Sequence, residues 1–462
     1  MIMSQYREII TFIILALTLS LSQAGQSETF FEALSSVYRN NPQLQAQRIK
    51  VKEIDENYIQ AISEGGFQAG VSGSLETNTA KLNSNVFSQT DGSTSVSGNP
   101  RAIQLQITKP LYQGGRVKWL KSQTRSSILS ARENLKSFEQ NIFMAGAEAY
   151  VSVLRNEEAA RIRRNSVKVL TRQRLAAIER FNIGVGTRTD IAQAESRLAS
   201  SESGLAQAES QLQSSRAAFV RIVGHVAVNL QEVPSFEIPE TVDEVKSLAR
   251  SNNPDLLAAY FSGDAAASAI SVAKSAYRPK ITLNALAGSS RGQTFGIGDS
   301  DQLALSARVS VPIFTSGMNR SRVRKASLAK ARLDFELRDL ELSIDQIVEQ
   351  SWHELNAARL AFSASKTQVS AAEVAFEGVS LEQELGLRNA LDLLNAEQEV
   401  LNAKLSVADA RYNVSVNEFK ILMAMGAFHS KGIKLPVSFY NPEGYFEDIS
   451  DNKISNLLKK FE

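Results

Sequence analysis

Cysteine is absent from the 462 residues, which excludes thiol catalysis, disulfides and thiolate metal sites. Its absence suits an oxidising compartment. Histidine is scarce. His225, His353 and His429 lie far apart, and no two stand at the i, i+4 spacing of a helical metal pair, so they read as ordinary histidines. No excess of one charge is present either. The 51 Lys and Arg against 49 Asp and Glu leave a net +2, which gives nucleic acid no basic surface to hold. No nucleophile–base set, metal cluster or phosphate loop stands out, so the residues point away from an enzyme and imply no cofactor. Long apolar runs are missing too. After the N-terminal segment none reaches the length of a spanning helix, so a mature chain seated in a membrane has to enter it as a β-barrel.

What is present is a duplication. Ile183-Gly184-Val185-Gly186-Thr187-Arg188-Thr189-Asp190 aligns without a gap on Leu385-Gly386-Leu387-Arg388-Asn389-Ala390-Leu391-Asp392, at an offset of 202. The same offset places Pro110-Leu111-Tyr112 on Pro312-Ile313-Phe314, and Gly224 on Gly426. Matches spread over that distance mean two copies of one unit, and the repeat has to be read before anything else. Asn41-Pro42 and Asn253-Pro254 also correspond, but at an offset of 212. The extra residues belong between Pro42 and Pro110. The Ser-, Asn- and Gly-rich segment Lys81 to Pro100 is the place for them and reads as a surface loop.

Residues 1–24 have the form of a cleaved secretory signal. Arg7 precedes an apolar run from Ile9 to Leu21, and Ser22-Gln23-Ala24 places small residues at a cleavage site. The first repeat then occupies 25–230, the second 231–428, and a tail 429–462. Phe30 to Ser63 reads as helix interrupted at Asn41-Pro42. Four segments alternate with period 2: Phe67 to Leu75, Ile103 to Thr108, Ile281 to Ala287, and Leu303 to Val311. Such strands fit a membrane barrel or two half-buried soluble hairpins. Four cannot close a barrel, since a small one takes about eight. Either the sheet packs on helices or several chains share one barrel.

Gly115 to Phe181 and Gly317 to Leu385 contain no proline and read as helices of about 100 Å each at 1.5 Å per residue. Ile128, Ala131, Leu135, Phe138, Ile142 and Ala145 in the first, and Leu333, Leu337, Leu340, Ile344 and Ile347 in the second, step by three and four as coiled-coil seams do. Shorter return helices run from Asp190 to Gly224 and from Leu391 to Gly426. The whole is mainly α with a small β part. The pattern predicts a long rod or tube, with strands at one end and helical bends at the other. The proline-bearing stretches Val226 to Thr241 and Lys431 onward are expected to pack around its middle or near the ends of the short helices.

With the strand–strand–long-helix order repeated, two Pro-Leu/Ile-Tyr/Phe turns and the Gly-x-Arg-x-x-x-Asp-x-Leu-x-Ala series from Gly386 to Ala396, the chain resembles the TolC family of outer-membrane factors. The resemblance covers nearly all of the mature chain. It implies a homotrimer whose strands make a 12-stranded barrel among outer-membrane lipid, and whose coiled-coil hairpins make a periplasmic α-barrel. It implies docking to a periplasmic adaptor and an inner-membrane ABC or RND pump, for type I protein secretion, drug efflux or both. The competing reading without the resemblance is a periplasmic coiled-coil scaffold with no pore. A carboxylate hydrolase built on Glu195 and Glu397 is disfavoured, because the repeat relates these residues and places them on helix surfaces.

The same resemblance assigns residues. Arg388 stands at the family's constraining arginine, Asp190 at its carboxylate partner, and Asp392 at an aspartate lining the entrance. Asn395 replaces a second entrance aspartate, and Gln383 replaces a locking tyrosine. Arg188 offers another link. Ile183, Gly184 and Val185, with Leu385, Gly386 and Leu387, are implied to receive the adaptor. Read from the residues alone, Asp190 and Asp392 are N-terminal caps of the return helices.

Overall fold

The computed structural model describes residues 27–83, 93–292 and 298–451; the signal-like segment 1–24 lies outside them. Elements follow in chain order: α1 (Phe30–Asn40), α2 (Pro42–Ser63), β1 (Gln68–Leu75), β2 (Asn78–Asn83), β3 (Ser93–Gly98), β4 (Arg101–Gln113), α3 (Arg116–Asn182), α4 (Arg188–Val223), α5 (Val242–Asn252), α6 (Pro254–Lys274), β5 (Lys280–Arg291), β6 (Ser300–Ser310), α7 (Met318–Glu384), α8 (Ala390–Ala424) and α9 (Gly444–Asp451). The long helices and return helices stand where the pattern predicts them, and each predicted strand segment falls within β1, β4, β5 or β6 or at its edge. Strand β4, however, runs on through Pro110-Leu111-Tyr112, read from the sequence as a turn, because that stretch pairs with Thr282 and Ile281 of β5 across a register shift. Two compact units result, and each draws on both repeats.

One unit contains the sheet and comprises 49–133, 258–339 and the chain from 441 on. Four antiparallel strands lie in the order β1-β4-β5-β6, so β4 and β5 join the two repeats. Register gathers the apolar residues into rows. Val71 faces Leu105, Leu105 faces Ala287, and Ala287 faces Leu303. The neighbouring positions Ser72, Gln104, Gly288 and Gln302 make a polar row, as a period-2 pleat requires. Val71, Leu105 and Leu303 are exposed. The segment read as a loop from Lys81 to Pro100 departs from expectation. Its flanks form a ribbon, β2 with β3, running from Asn78 opposite Gly98 to Asn83 opposite Ser93. Backbone pairing makes this ribbon with few apolar side chains, so hydrophobic alternation gives no sign of it. One stretch corrects the expectation that no later segment has the length of a spanning helix. Pro254–Tyr277, α6 with the turn after it, is long and apolar enough to cross a membrane by length and composition, although Asp255, Ser262, Asp264 and Ser268 interrupt any continuous apolar run. Ser130 of α3 ties it down, donating to the Ala258 carbonyl at 2.9 Å and meeting the Ser262 hydroxyl at 2.9 Å.

The other unit takes in 27–48, Asn134–Leu257 and Leu340–Tyr440. Its centre is aromatic. Phe30 stacks on Phe419 at 5.3 Å, and Phe419 on Phe428 at 5.4 Å. Tyr150 meets Phe30 edge-on at 5.4 Å. Its hydroxyl lies within 2.9 Å of the Glu28 and Gln231 carbonyls, which satisfies the polar end of a buried ring. Parts of the proline-bearing stretches pack here: Phe236 meets Phe30 edge-on at 6.0 Å and Leu435 is buried, and just before the second stretch the Ser430 N–H donates to Glu139 at 2.7 Å. The chain from 441 on, with Pro442, belongs to the unit that contains the sheet.

The duplication is visible in hydrogen bonds. Asn41 accepts from the N–H groups of Gln43 and Leu44, and its amide donates to Ile222 O at 3.2 Å. Asn253 accepts from Asp255 and Leu256, and its amide donates to Ala424 O at 3.2 Å. Each asparagine thus caps the helix that its proline opens and fastens the end of the return helix of its own repeat. The return helices end at Gly224 and Gly426, both at positive φ. The two glycines differ in surroundings. A Cβ on Gly426 would stand 2.3 Å from the Asn252 carbonyl oxygen, whereas one on Gly224 meets nothing within 4 Å. Gly224→Ala should cost about 1–2 kcal/mol for the left-handed backbone. Gly426→Ala should add about 1–3 kcal/mol for the overlap. A heat-denaturation midpoint equally lowered by both changes would refute this difference.

The predicted seams hold in part: Phe138 and Ala145 on α3 and Leu333, Leu337 and Leu340 on α7 are only half-buried. Ile128, Ala131, Leu135 and Ile142 are buried on α3. On α7, Ile344 is buried but Ile347 is 48% exposed, and Val348 takes the inward place. Steps of three and of four are equally helical, so the sequence offers both positions and packing selects one.

Candidate functional site

The two helical bends are built alike. After α3, the N–H groups of Gly184 and Val185 bond back to Phe181 O (3.0 Å) and Arg180 O (2.9 Å). After α7, those of Gly386 and Leu387 bond back to Gln383 O (3.1 Å) and Glu382 O (2.8 Å). Gly184 at φ 81° and Gly386 at φ 78° supply the left-handed residue that closes such a helix end. Four apolar side chains stand out in water around these glycines. Ile183, Val185, Leu385 and Leu387 are between 68% and 75% exposed. These side chains therefore take no part in the core of the single chain.

The return helices start on polar caps. Thr187 and Asp190 form a full capping box, with the Asp190 carboxylate accepting from the Thr187 N–H at 2.9 Å and from its hydroxyl at 2.8 Å. Asn389 caps α8 by accepting from the Asp392 N–H at 2.8 Å. The capping role read from the residues alone is present for Asp190, as the N3 partner of Thr187, but at the second tip Asn389 and not Asp392 supplies the cap, with Asp392 left as the acidic residue of the first turn. Arg188 opens α4 and is exposed.

Within one chain Arg388 does not reach Asp190. Its guanidinium pairs with Glu382 at 2.8 Å, which favours its charged form further. Asp190 is held by its own cap. Two other links join the hairpins. Arg180 of α3 donates to Gln383 Oε1 at 3.1 Å, and Arg197 of α4 donates to Asn395 Oδ1 at 3.0 Å. Gln383 and Asn395, the two departures from the family pattern, are thus each engaged by an arginine of the other hairpin. Neither arginine stands out in sequence, since both lie among many charged residues on helix faces. Leu170, Leu198 and Leu394 form a small buried cluster from α3, α4 and α8 behind these links, with Val167 packed against it.

One carboxylate contradicts the reading that puts it on the surface. Glu397 is 7% exposed, although its repeat mate Glu195 is exposed as predicted. Burial pushes the Glu397 carboxyl up to about 7, while the Ser166 hydroxyl and Arg172 act in the opposite sense. The burial arises because α8 lies across both helices of the first hairpin at this level. Hydrophobic spacing within a single helix does not reveal that.

Comparison with known proteins gives a consistent result. The profile of a family described as "Outer membrane efflux protein" matches residues 33–225 and 245–427. The outer membrane efflux protein BepC of Brucella suis biovar 1 (strain 1330) is 26% identical over 445 residues, covering 95% of this chain and 94% of its own. The outer membrane protein TolC of Escherichia coli (strain K12) is 23% identical, over 91% of this chain and 87% of its own. The crystal structure of the Campylobacter jejuni CmeC outer membrane channel superposes with a TM-score of 0.73 at 16% identity, covering 92% of this chain and 90% of that one, which shows a shared fold.

Proposed function

The chain belongs to the outer membrane efflux protein family, and on that footing we propose that three copies of it form one exit duct. Members of this family are transport proteins of the outer membrane and not enzymes. The observation that carries the finer reading is the sheet. β1 and β6 each have one paired side and one open side, and the apolar rows are exposed. An open edge and a bare apolar face are liabilities in water. Three such sheets joined edge to edge supply twelve strands, remove every open edge and turn the apolar rows toward lipid. The two repeats, 25–230 and 231–428, and the tail 429–462 are the parts of this duct, and residues 1–24 direct its export.

The helical hairpins form its periplasmic tunnel, with the two tips at the entrance. A periplasmic adaptor docks on Ile183, Gly184 and Val185 and on Leu385, Gly386 and Leu387. An inner-membrane ABC or RND pump supplies the energy, and the cargo is drugs, proteins of a type I system, or both. At rest the tips stay closed through polar links within and between copies, in which Asp190 and Arg388 take part. Three copies of Asp392 make an acidic ring that favours cations.

Planar-bilayer recording on the detergent-extracted protein, together with its oligomeric mass, tests this function. A trimer with small, cation-selective conductance supports it; a water-soluble monomer or dimer with no conductance refutes it. Asp392→Ala should weaken block by trivalent cations added on the tip side by about tenfold, as befits losing three converging charges. Equal block in both proteins would remove the acidic ring.

A further inference from the structure

Glu397 has no part in the entrance described so far, yet it occupies the seam between the two hairpins. It lies one turn after Leu394 on α8, and Leu394 packs with Leu170 of α3 and Leu198 of α4. Both carboxyl oxygens are shut off from water, and neither makes a hydrogen bond of good geometry. The Ser166 hydroxyl and the Arg172 guanidinium stand beside the carboxyl, both from α3. Ser166 lies 3.5 Å from the Ser201 hydroxyl of α4. Arg172 is the charged group whose field reaches Glu397; α4 brings Leu198 and Ser201 to this region, and α8 itself brings Leu394. Around the carboxyl itself only the charge of Arg172 acts, while Arg197 of α4 is engaged by Asn395 two residues away on α8, and a carboxylate there has lost its water without gaining a full set of partners.

We propose that Glu397 is a proton-operated latch: protonated, it packs within the seam and holds the second hairpin against the first, and ionised, it draws water in and loosens that packing. The latch rests on the reading of the tips as a gated entrance. Its sign follows from burial. The packed seam holds the proton more tightly than separated hairpins do, because packing raises this carboxyl from the ordinary 4.5 to about 7. The contribution to closure is complete at acid pH below the ordinary carboxylate range. It is lost as pH rises through about 7. The repeat mate Glu195 is exposed and stands outside the packed seam, which makes it an internal control.

The test is single-channel conductance of the assembled trimer between about pH 5.5 and about pH 8.5. The native protein is expected to conduct severalfold more at the alkaline end, with a midpoint near neutrality. Glu397→Gln, which keeps the shape and stays neutral, should give a flat, low conductance throughout. Glu195→Gln should retain the native profile. Ser166→Ala removes a donor that favours the ionised form, so its midpoint should move to higher pH; it also carries the test if Glu397→Gln fails to assemble. A pH step that survives in Glu397→Gln, a flat but high conductance, or an unmoved midpoint in Ser166→Ala overturns the latch. A native trimer that conducts with no pH step also overturns the latch and leaves the duct intact. A native trimer that never conducts overturns the duct itself.

Discussion

Phe335→Glu combined with Leu342→Glu should leave the protein monomeric in detergent and without conductance. The reason is a line of apolar side chains on α7 that the single chain leaves bare. Leu328, Phe335 and Leu342 follow one another at heptad spacing, and Leu360, Val374 and Leu381 continue the series; exposures run from 60% to 72%. The step from Leu342 to Leu360 is five straight α-helical turns, which keeps the line on one face. A strict heptad would drift from it, and a break of this kind is how a long helix re-registers its seam. Burying side chains of this size stabilises by about 1.5–3 kcal/mol each. In a closed ring of three copies each such contact is made three times. Glutamate in its place removes that gain and demands desolvation of a charge. Size-exclusion chromatography with light scattering reads the outcome. Phe335→Leu with Leu342→Ile is the control and should still assemble. A trimer that survives both glutamates would mean that α7 meets no neighbour along this line.

The second large effect is expected at the entrance. Arg180→Ala with Arg197→Ala should raise single-channel conductance severalfold, and more than Arg388→Ser does within the same chain framework. A hydrogen bond from a charged donor contributes about 1.5–3 kcal/mol when shielded. The Arg180–Gln383 link is partly shielded and the Arg197–Asn395 link is exposed, so the second is discounted. The Arg388–Glu382 pair has both side chains about half exposed and is worth little by itself. If Arg388→Ser nonetheless opens the channel as widely as the double change, Arg388 has a partner on a neighbouring copy. Asp190→Asn then tells whether Asp190 is that partner. Asparagine retains a capping side chain and removes the charge. Asp190→Ala would mix a lost cap with a lost pair. No rise in conductance in the double variant would show that these two links do not hold the entrance.

The readable parts of the sequence are those governed by local rules. Absence of proline and a run of three- and four-residue steps locate α3 and α7 to within a few residues. Gly184 and Gly386 mark the bends because few other residues adopt their backbone. Asn41-Pro42 and Asn253-Pro254 mark the helix junctions for a similar reason. The parts that escape reading depend on what another helix brings. Arg180 and Arg197 find Gln383 and Asn395 across roughly two hundred residues of chain, and Glu397 is buried by elements outside its own repeat. Glu195 and Glu397 show the limit well. They hold equivalent positions in the repeat, yet one meets water and the other a leucine cluster. A ladder of backbone bonds with little apolar content, as in β2 and β3, leaves no pattern to detect.

The two long helices are equal in length, 67 residues each. That equality limits how the chain can change over evolutionary time. Adding one residue to α3 alone would raise its tip by about 1.5 Å and turn every later side chain by about 100°. Arg180 would then leave Gln383, and Leu170 would leave Leu394. Length variation in these helices is tolerable only when both repeats vary together, and best in whole heptads of about 10.5 Å, which lift both tips alike and nearly return each side chain to its face. Single insertions are confined to the segments between paired elements. The difference between the two repeats sits in such a place, around β2 and β3. The two halves of the gene are thus bound to drift in sequence while keeping the same measure.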